Sequence, residues 1–312
     1  MKTSQMTFPA VALMAAVMTA PAFAIEMQPG TYALPDGQAK VSATLAVTPD
    51  TGLRRMLDIA MTPLGGAVPV TRYQTELSKQ LHVIAVSSDL RTFVHEHGDR
   101  PGSGGHFHVP IAFPYGGLWH VYADGVPQGL GQQVMRFDLV LGGQPAGTQP
   151  ALSQLTGTHS ADGRYSIKFD AFDLKAGQES QLSLHLLRDD KPAPDVVPYL
   201  GVAAHAVFID GSDLTYVHVH AAPTKAPGAG GTGAAMAHDM TGMQSVPGVA
   251  ASGPASTNGD MEGMGAPLPA GSKVQSELTM HVKAPKAGTY VLWIQFNGGG
   301  KVRTVQFVVK VG

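Results

Sequence analysis

The chain has 312 residues, 44% of them hydrophobic, which is enough for two domains of ordinary size, each with its own core. A formal net charge of -2 argues against a nucleic-acid partner, because phosphate recognition needs a basic excess. Cys is absent, which excludes disulfides, thiolate copper sites and the commonest structural zinc sites, so a metal centre would draw on the 13 His, the 14 Met, carboxylates or backbone.

Residues 1–24 read as an export signal rather than as part of the fold. Lys2 provides a positive start, residues 8–20 are apolar, and Ala22-Phe23-Ala24 has the small-x-small pattern of a cleavage site. The run is too short to span a bilayer comfortably. Cleavage is expected after Ala24, leaving a periplasmic or secreted mature chain from Ile25. No later segment reads as a membrane span, and none is a basic amphipathic stretch suited to a membrane surface.

From there the chain reads as short strands broken by Gly, Pro and Asp: residues 41–47, 56–61, 81–86, 134–141, 165–169, 182–187, 205–209, 290–296 and 305–311. Strands of this length and spacing predict β-sandwiches. The first hairpin runs Leu81-His82-Val83-Ile84-Ala85-Val86-Ser87-Ser88-Asp89-Leu90 and on to Phe93-Val94-His95-Glu96-His97. His82 and His95 lie 13 residues apart about a Ser-Ser-Asp turn. A hairpin centred there sets His82 opposite His95, with His97 on the same face, so three imidazoles converge. Downstream, His106 and His108 share a strand face that reads first as solvated and second as an accessory metal site. His120, flanked by Trp119 and Val121, reads as exposed. Trp119, Tyr122, Tyr290 and Trp293 read as core packing, and Asp89 and Asp213 as turn-holding residues.

The hairpin recurs. His205-Ala206-Val207-Phe208-Ile209 leads through Asp210-Gly211-Ser212-Asp213-Leu214 to Tyr216-Val217-His218-Val219-His220, again with 13 residues between the first two histidines. Residues 113–119 match 284–290, and 56–70 match 181–195, so the chain is read as a tandem duplication. The expected organisation is a first β-sandwich over residues 25–143, a linker over 144–150 at the end of the stretch GGQPAGTQP, and a second β-sandwich over 151–312. His159, His185 and His281 stand alone and read as structural or solvent-facing. The second copy carries a low-complexity insertion at about residues 222–271, expected to be disordered. It contains Met236, His238, Met240, Met243, Met261 and Met264, soft ligands suited to Cu(I). Gly228-Ala-Gly230-Gly-Thr-Gly233 inside it matches a dinucleotide fingerprint in letters only.

The pattern LH-hydrophobic-VS-x-DL-xx-F-x-H-x-H, followed by FP-xx-G-x-Y/W and, before the second copy, by Pro198-Tyr199-Leu200-Gly201, resembles a group of exported bacterial two-repeat proteins, most of them uncharacterised. The resemblance spans nearly the whole mature chain. It implies immunoglobulin- or cupredoxin-like sandwiches in the cell envelope, beside heavy-metal handling proteins in some cases. Relatives often have a further histidine just before the first hairpin, where this chain has residues 74–80 and none.

The expected function is metal binding, with copper favoured and zinc the alternative, for buffering, delivery or resistance. Each hairpin would form one site: His82, His95 and His97 in the first, His205, His218 and His220 in the second. The partner is a metal ion, and beyond it another envelope metal-handling protein. Two other readings stay open: a three-histidine metal enzyme, set back by the lack of a nameable acid/base residue, and a metal-independent envelope interaction module.

Overall fold

The computed structural model describes residues 23–25, 39–147, 152–224 and 267–312. Most of the expected signal segment, residues 148–151 and the Met-rich stretch 225–266 lie outside the described residues. What is described is all-β apart from one short 3-10 turn at Leu152–Leu155, and no helix is long and apolar enough to cross a membrane.

The first repeat comprises β1 (Phe23–Ile25), β2 (Val41–Pro49), β3 (Arg54–Pro63), β4 (Tyr73–Gln74), β5 (Leu81–Ser87), β6 (Phe93–Gly98), β7 (His106–Ala112), β8 (Gly117–Pro127) and β9 (Gln133–Leu141). The second comprises β10 (His159–Asp162), β11 (Tyr165–Phe169), β12 (Glu179–Arg188), β13 (Lys191–Pro192), β14 (Val196–Val197), β15 (Ala204–Asp210), β16 (Tyr216–Pro223), β17 (Glu277–Lys283), β18 (Gly288–Gly298) and β19 (Lys301–Val311). Strand β1, which straddles the expected cleavage point, pairs with β2.

The two repeats share one topology. Sheet order β1-β2-β3-β7 in the first is matched by β10-β11-β12-β17 in the second. Order β4-β8-β5-β6, with β9 on β8, is matched by β14-β18-β15-β16, with β19 on β18. The second repeat differs where Ala221–Pro223 of β16 pair with β17, joining its two sheets into one network and covering edges that would otherwise be free. Alternating side chains fill each sandwich: Leu81, Val83, Ala85, Trp119 and Phe137 in the first, Ala204, Ala206, Phe208, Tyr290 and Phe307 in the second.

The other face of each hairpin sheet is buried too. Ile84, Val86, Leu90, Tyr122 and Val134 pack against Val207, Ile209, Tyr216, Val291 and Trp293 in a third apolar cluster between the repeats. The match is reciprocal. Phe93 stacks on Trp293 at 5.5 Å, and its counterpart Tyr216 stacks on Tyr122 at 4.9 Å. Tyr122 donates its hydroxyl to the Leu214 carbonyl, and Gln306 donates its amide to the Leu90 carbonyl. Tyr122 and Trp293 are therefore core residues of the contact between domains, while Trp119 and Tyr290 are core residues within them. This docking buries both faces of β5 and β15.

Candidate metal centre

The six hairpin histidines meet at the docked faces. On β5, His82 alternates with core-facing Leu81 and Val83, so it projects toward the second repeat in line with Ile84 and Val86. His205 on β15 does the same in return. The hairpin register differs from the expected one. His82 lies opposite His97, not His95, and His95 lies opposite Ile84. In the second copy His205 lies opposite His220, and His218 opposite Val207. The turns are tightened at Leu90 and Leu214, both at positive φ, with Asp89 and Asp213 accepting backbone bonds from Arg91 and Thr215. Because the register slips by two residues and side chains repeat every two, all three imidazoles of each hairpin keep one face.

The two triads form one cluster, not the two separate sites expected from the hairpins. His82 has ring centroids of His97 at 5.0 Å, His218 at 5.1 Å, His95 at 5.4 Å and His205 at 6.0 Å around it. His205 and His218 each approach His220 within 4.8 Å. Two trios bring one ring nitrogen each within 4.8 Å of one another: His82, His95 and His97, and, across the domain boundary, His82, His205 and His218. Burial is deep, with His82 at 1% exposure, His205 at 2% and His95 at 8%.

Neighbouring groups orient the rings. His95 Nδ1 faces Gln295 Oε1 at 2.9 Å, and His218 Nδ1 faces Asp124 Oδ2 at 3.1 Å. Gln295 sits opposite His205 on β18, and Asp124 opposite His82 on β8, so each hairpin's middle histidine takes its partner from the other repeat. Asp124 is fully buried and also accepts from Tyr216 and Gln132. His205 Nε2 donates to the Tyr199 carbonyl at 3.0 Å. Among the described residues, five ring nitrogens are buried without a partner: Nε2 of His82, His97, His218 and His220, and Nδ1 of His205.

Burial, reinforced by neighbouring imidazoles, holds His82, His95, His205 and His220 well below the usual histidine range, and burial with the Lys79 ammonium nearby holds His97 down to about 4. These five rings are thus neutral at pH 7, the state a metal ligand requires.

Glu76 is a site residue that the sequence reading did not single out. It lies in residues 74–80, where the resemblance suggested a further histidine. The turn Glu76-Leu77-Ser78-Lys79 repeats as Tyr199-Leu200-Gly201-Val202, both closed by a bridge between first and last residues. Ser78 adopts φ 101° where the second copy has Gly201 at 86°, a conformation costly for a side chain. Burial first, and then the Asp124 carboxylate, push the Glu76 carboxyl up to about 7, against the opposing pull of His218. Its Oε2 is buried without a partner. The near-continuous apolar character of β5 and β15 was the sequence signal for a sheet covered on both faces, and hence for this shared centre.

The remaining histidines fall elsewhere. His106 and His108 share Asp58 on the outer sheet, at 2.6 and 3.8 Å, with both rings partly exposed and apart from the cluster. His120 is buried, not exposed, since the face of β8 opposite Trp119 is the one the second repeat covers, and its Nδ1 pairs with Asp138 at 2.7 Å. His185 pairs with Asp170 and His281 with Glu179, while His159 is exposed. Met236, His238, Met240, Met243, Met261 and Met264 lie outside the described residues.

A family model described as a domain of unknown function (DUF8832) matches residues 159–244 and 262–312, the second repeat. No curated protein matches the chain. Among solved structures, MtrC from Shewanella baltica OS185 is similar at 8% identity and a TM-score of 0.23, over 87% of this chain and 69% of that one. A beta-glycosidase from Bacteroides vulgatus is similar at 11% identity and a TM-score of 0.19, over 88% of this chain and 26% of that one. Likeness at this level carries no argument about function.

Proposed function

We propose that this chain is an exported metal-binding protein whose six-histidine centre takes a late first-row divalent ion, copper first and zinc second, for buffering, delivery or resistance in the cell envelope. The observation that carries it is the set of five imidazole nitrogens buried between the repeats without partners. An unpaired buried polar atom costs about 1–3 kcal/mol. A cation accepts several converging lone pairs at once and offsets that cost, whereas a water donates to two at most. Imidazole suits copper and zinc alike, and the Irving–Williams order places Cu(II) above Zn(II) at a given nitrogen site. Signal-peptide export is part of the proposal and rests on residues 1–24.

Protein purified from the periplasm under chelator-free conditions should carry stoichiometric copper or zinc by elemental analysis. A variant with all six hairpin histidines replaced by Gln should carry none. Equal metal content in both proteins would refute the reading.

The Met-rich segment is proposed as an accessory Cu(I) ligand set. Deleting residues 234–264 should weaken Cu(I) binding in competition against a Cu(I) chelator under reducing conditions and leave Zn(II) binding nearly unchanged, because thioethers are poor zinc ligands. Identical Cu(I) affinity and stoichiometry after the deletion would reduce the segment to a spacer.

A further inference from the structure

We propose that the first ion is held across the domain boundary by His82, His205 and His218, and that Asp124 is the positioning residue that aims His218 at it. This rests on the metal-binding reading above.

Gln295 donates its amide nitrogen to Thr304 Oγ1, which turns its oxygen toward His95. That oxygen can only accept, so His95 carries its proton on Nδ1 and its lone pair on Nε2. His82 Nδ1 lies 3.1 Å from that Nε2 and must donate to it, leaving the His82 lone pair on Nε2. Asp124 Oδ2 accepts from His218 Nδ1, leaving that lone pair on Nε2. The Tyr199 carbonyl accepts from His205 Nε2, leaving that lone pair on Nδ1. The three nitrogens so assigned, His82 Nε2, His205 Nδ1 and His218 Nε2, are all buried and unpartnered. Their residues make up one of the two trios in which one ring nitrogen of each residue lies within 4.8 Å of the others. This trio is ready to bind with its hydrogen bonds intact.

The other trio, His82, His95 and His97, is internally committed. Its use requires breaking the bond between His82 and His95. His205, His218 and His220, the set expected from the second hairpin, do not form such a trio among the described residues.

The pseudo-symmetric partners are chemically unequal. At equivalent positions of β8 and β18 stand a carboxylate, Asp124, and an amide, Gln295. A carboxylate that accepts the second N–H of a ligating histidine makes that imidazole a better donor, whereas a neutral amide does so less. The first ion is therefore drawn to the His218 side, and it ties the two domains together.

The test is titration of the mature full-length protein with Zn(II) and with Cu(II), in competition with a chelator. His205→Ala should abolish the tightest equivalent even though the first hairpin keeps all three histidines. His97→Ala should lower the total stoichiometry by removing a weaker equivalent. Asp124→Asn should weaken the first equivalent by about 10- to 100-fold and shift the Cu(II) electron paramagnetic resonance spectrum. Since Asp124→Asn also disturbs Tyr216 and Gln132, Gln295→Glu serves as the second variant. It places a carboxylate on His95 and should tighten the weaker equivalent. If wild type binds metal, yet His205→Ala keeps the tightest ion and His97→Ala loses it, the inference falls while the functional reading stands. If Gln295→Glu and Asp124→Asn leave both affinities unchanged, Asp124 has no positioning role. A wild-type protein that binds neither ion overturns the functional reading itself.

Discussion

Acidified from pH 7 toward pH 5, the metal-free protein should lose its inter-domain packing and then its fold. An unfolded histidine protonates near 6.5, whereas His82, His95, His205 and His220 are held well below that value and His97 is held at about 4. Below pH 6.5 the unfolded chain therefore binds about five more protons than the folded one, and stability falls with pH. Glu76 works the other way. Its folded value of about 7 against 4.5 means that the folded state holds one extra proton in this window and gains stability as pH drops. The balance of about four protons gives a slope of about 5 kcal/mol per pH unit. A domain's whole stability is about 5–15 kcal/mol, so the transition should come within about one to three units below 6.5. Fluorescence of the two tryptophans reports it, and a Trp119→Phe background leaves Trp293 at the domain contact as the sole probe. Saturating Zn(II) should move the midpoint to lower pH, because ligation holds the imidazoles neutral and an ion at a thousand times its Kd adds about 4 kcal/mol. A metal-free protein with flat stability from pH 7 to pH 5 would contradict the burial of these five rings.

Replacing Trp293 with Ala should cost about 3–5 kcal/mol and, more tellingly, should weaken metal binding without touching a ligand. Trp293 is 2% exposed, pairs with Val207 two residues along β15 from His205, and stacks on Phe93 of the other repeat. Its loss opens a cavity in the cluster that joins the repeats, while the separate sandwich cores keep their own residues. The proposed centre takes ligands from both sides of that contact, so loosening it lowers the fraction of molecules ready to bind. Phe169→Ala is the control. It removes a fully buried ring of comparable importance from the second core, away from the contact. It should match Trp293→Ala in lost stability and fall short of it in lost Zn(II) affinity. Equal affinity losses would mean that the centre depends on global stability and not on docking.

Much of this molecule is local and could be read from the chain. Alternation within 165–169 and 182–187, with Gly and Pro between runs, determined strands and a sandwich, because period-two burial is a property of one strand against one core. The matched thirteen-residue spacing of His82 to His95 and His205 to His218 determined that each triad shares a face, and this survived a wrong register because a slip of two residues preserves facing. What opposes that face was beyond such reasoning. His120 was read as solvent-facing and proved buried, for the same reason that the triads merged: each hairpin sheet is the lid of the other. Asp124, Gln295 and Glu76 joined the site by contacts across the repeats or from a loop whose motif had diverged, and no spacing rule links residues 94 or 200 positions apart. The sequence by itself determined the histidine triad and its duplication. Only the tertiary structure decided that six histidines form one centre, because that depends on two apolar faces finding each other, a surface complementarity that residue periodicity does not encode.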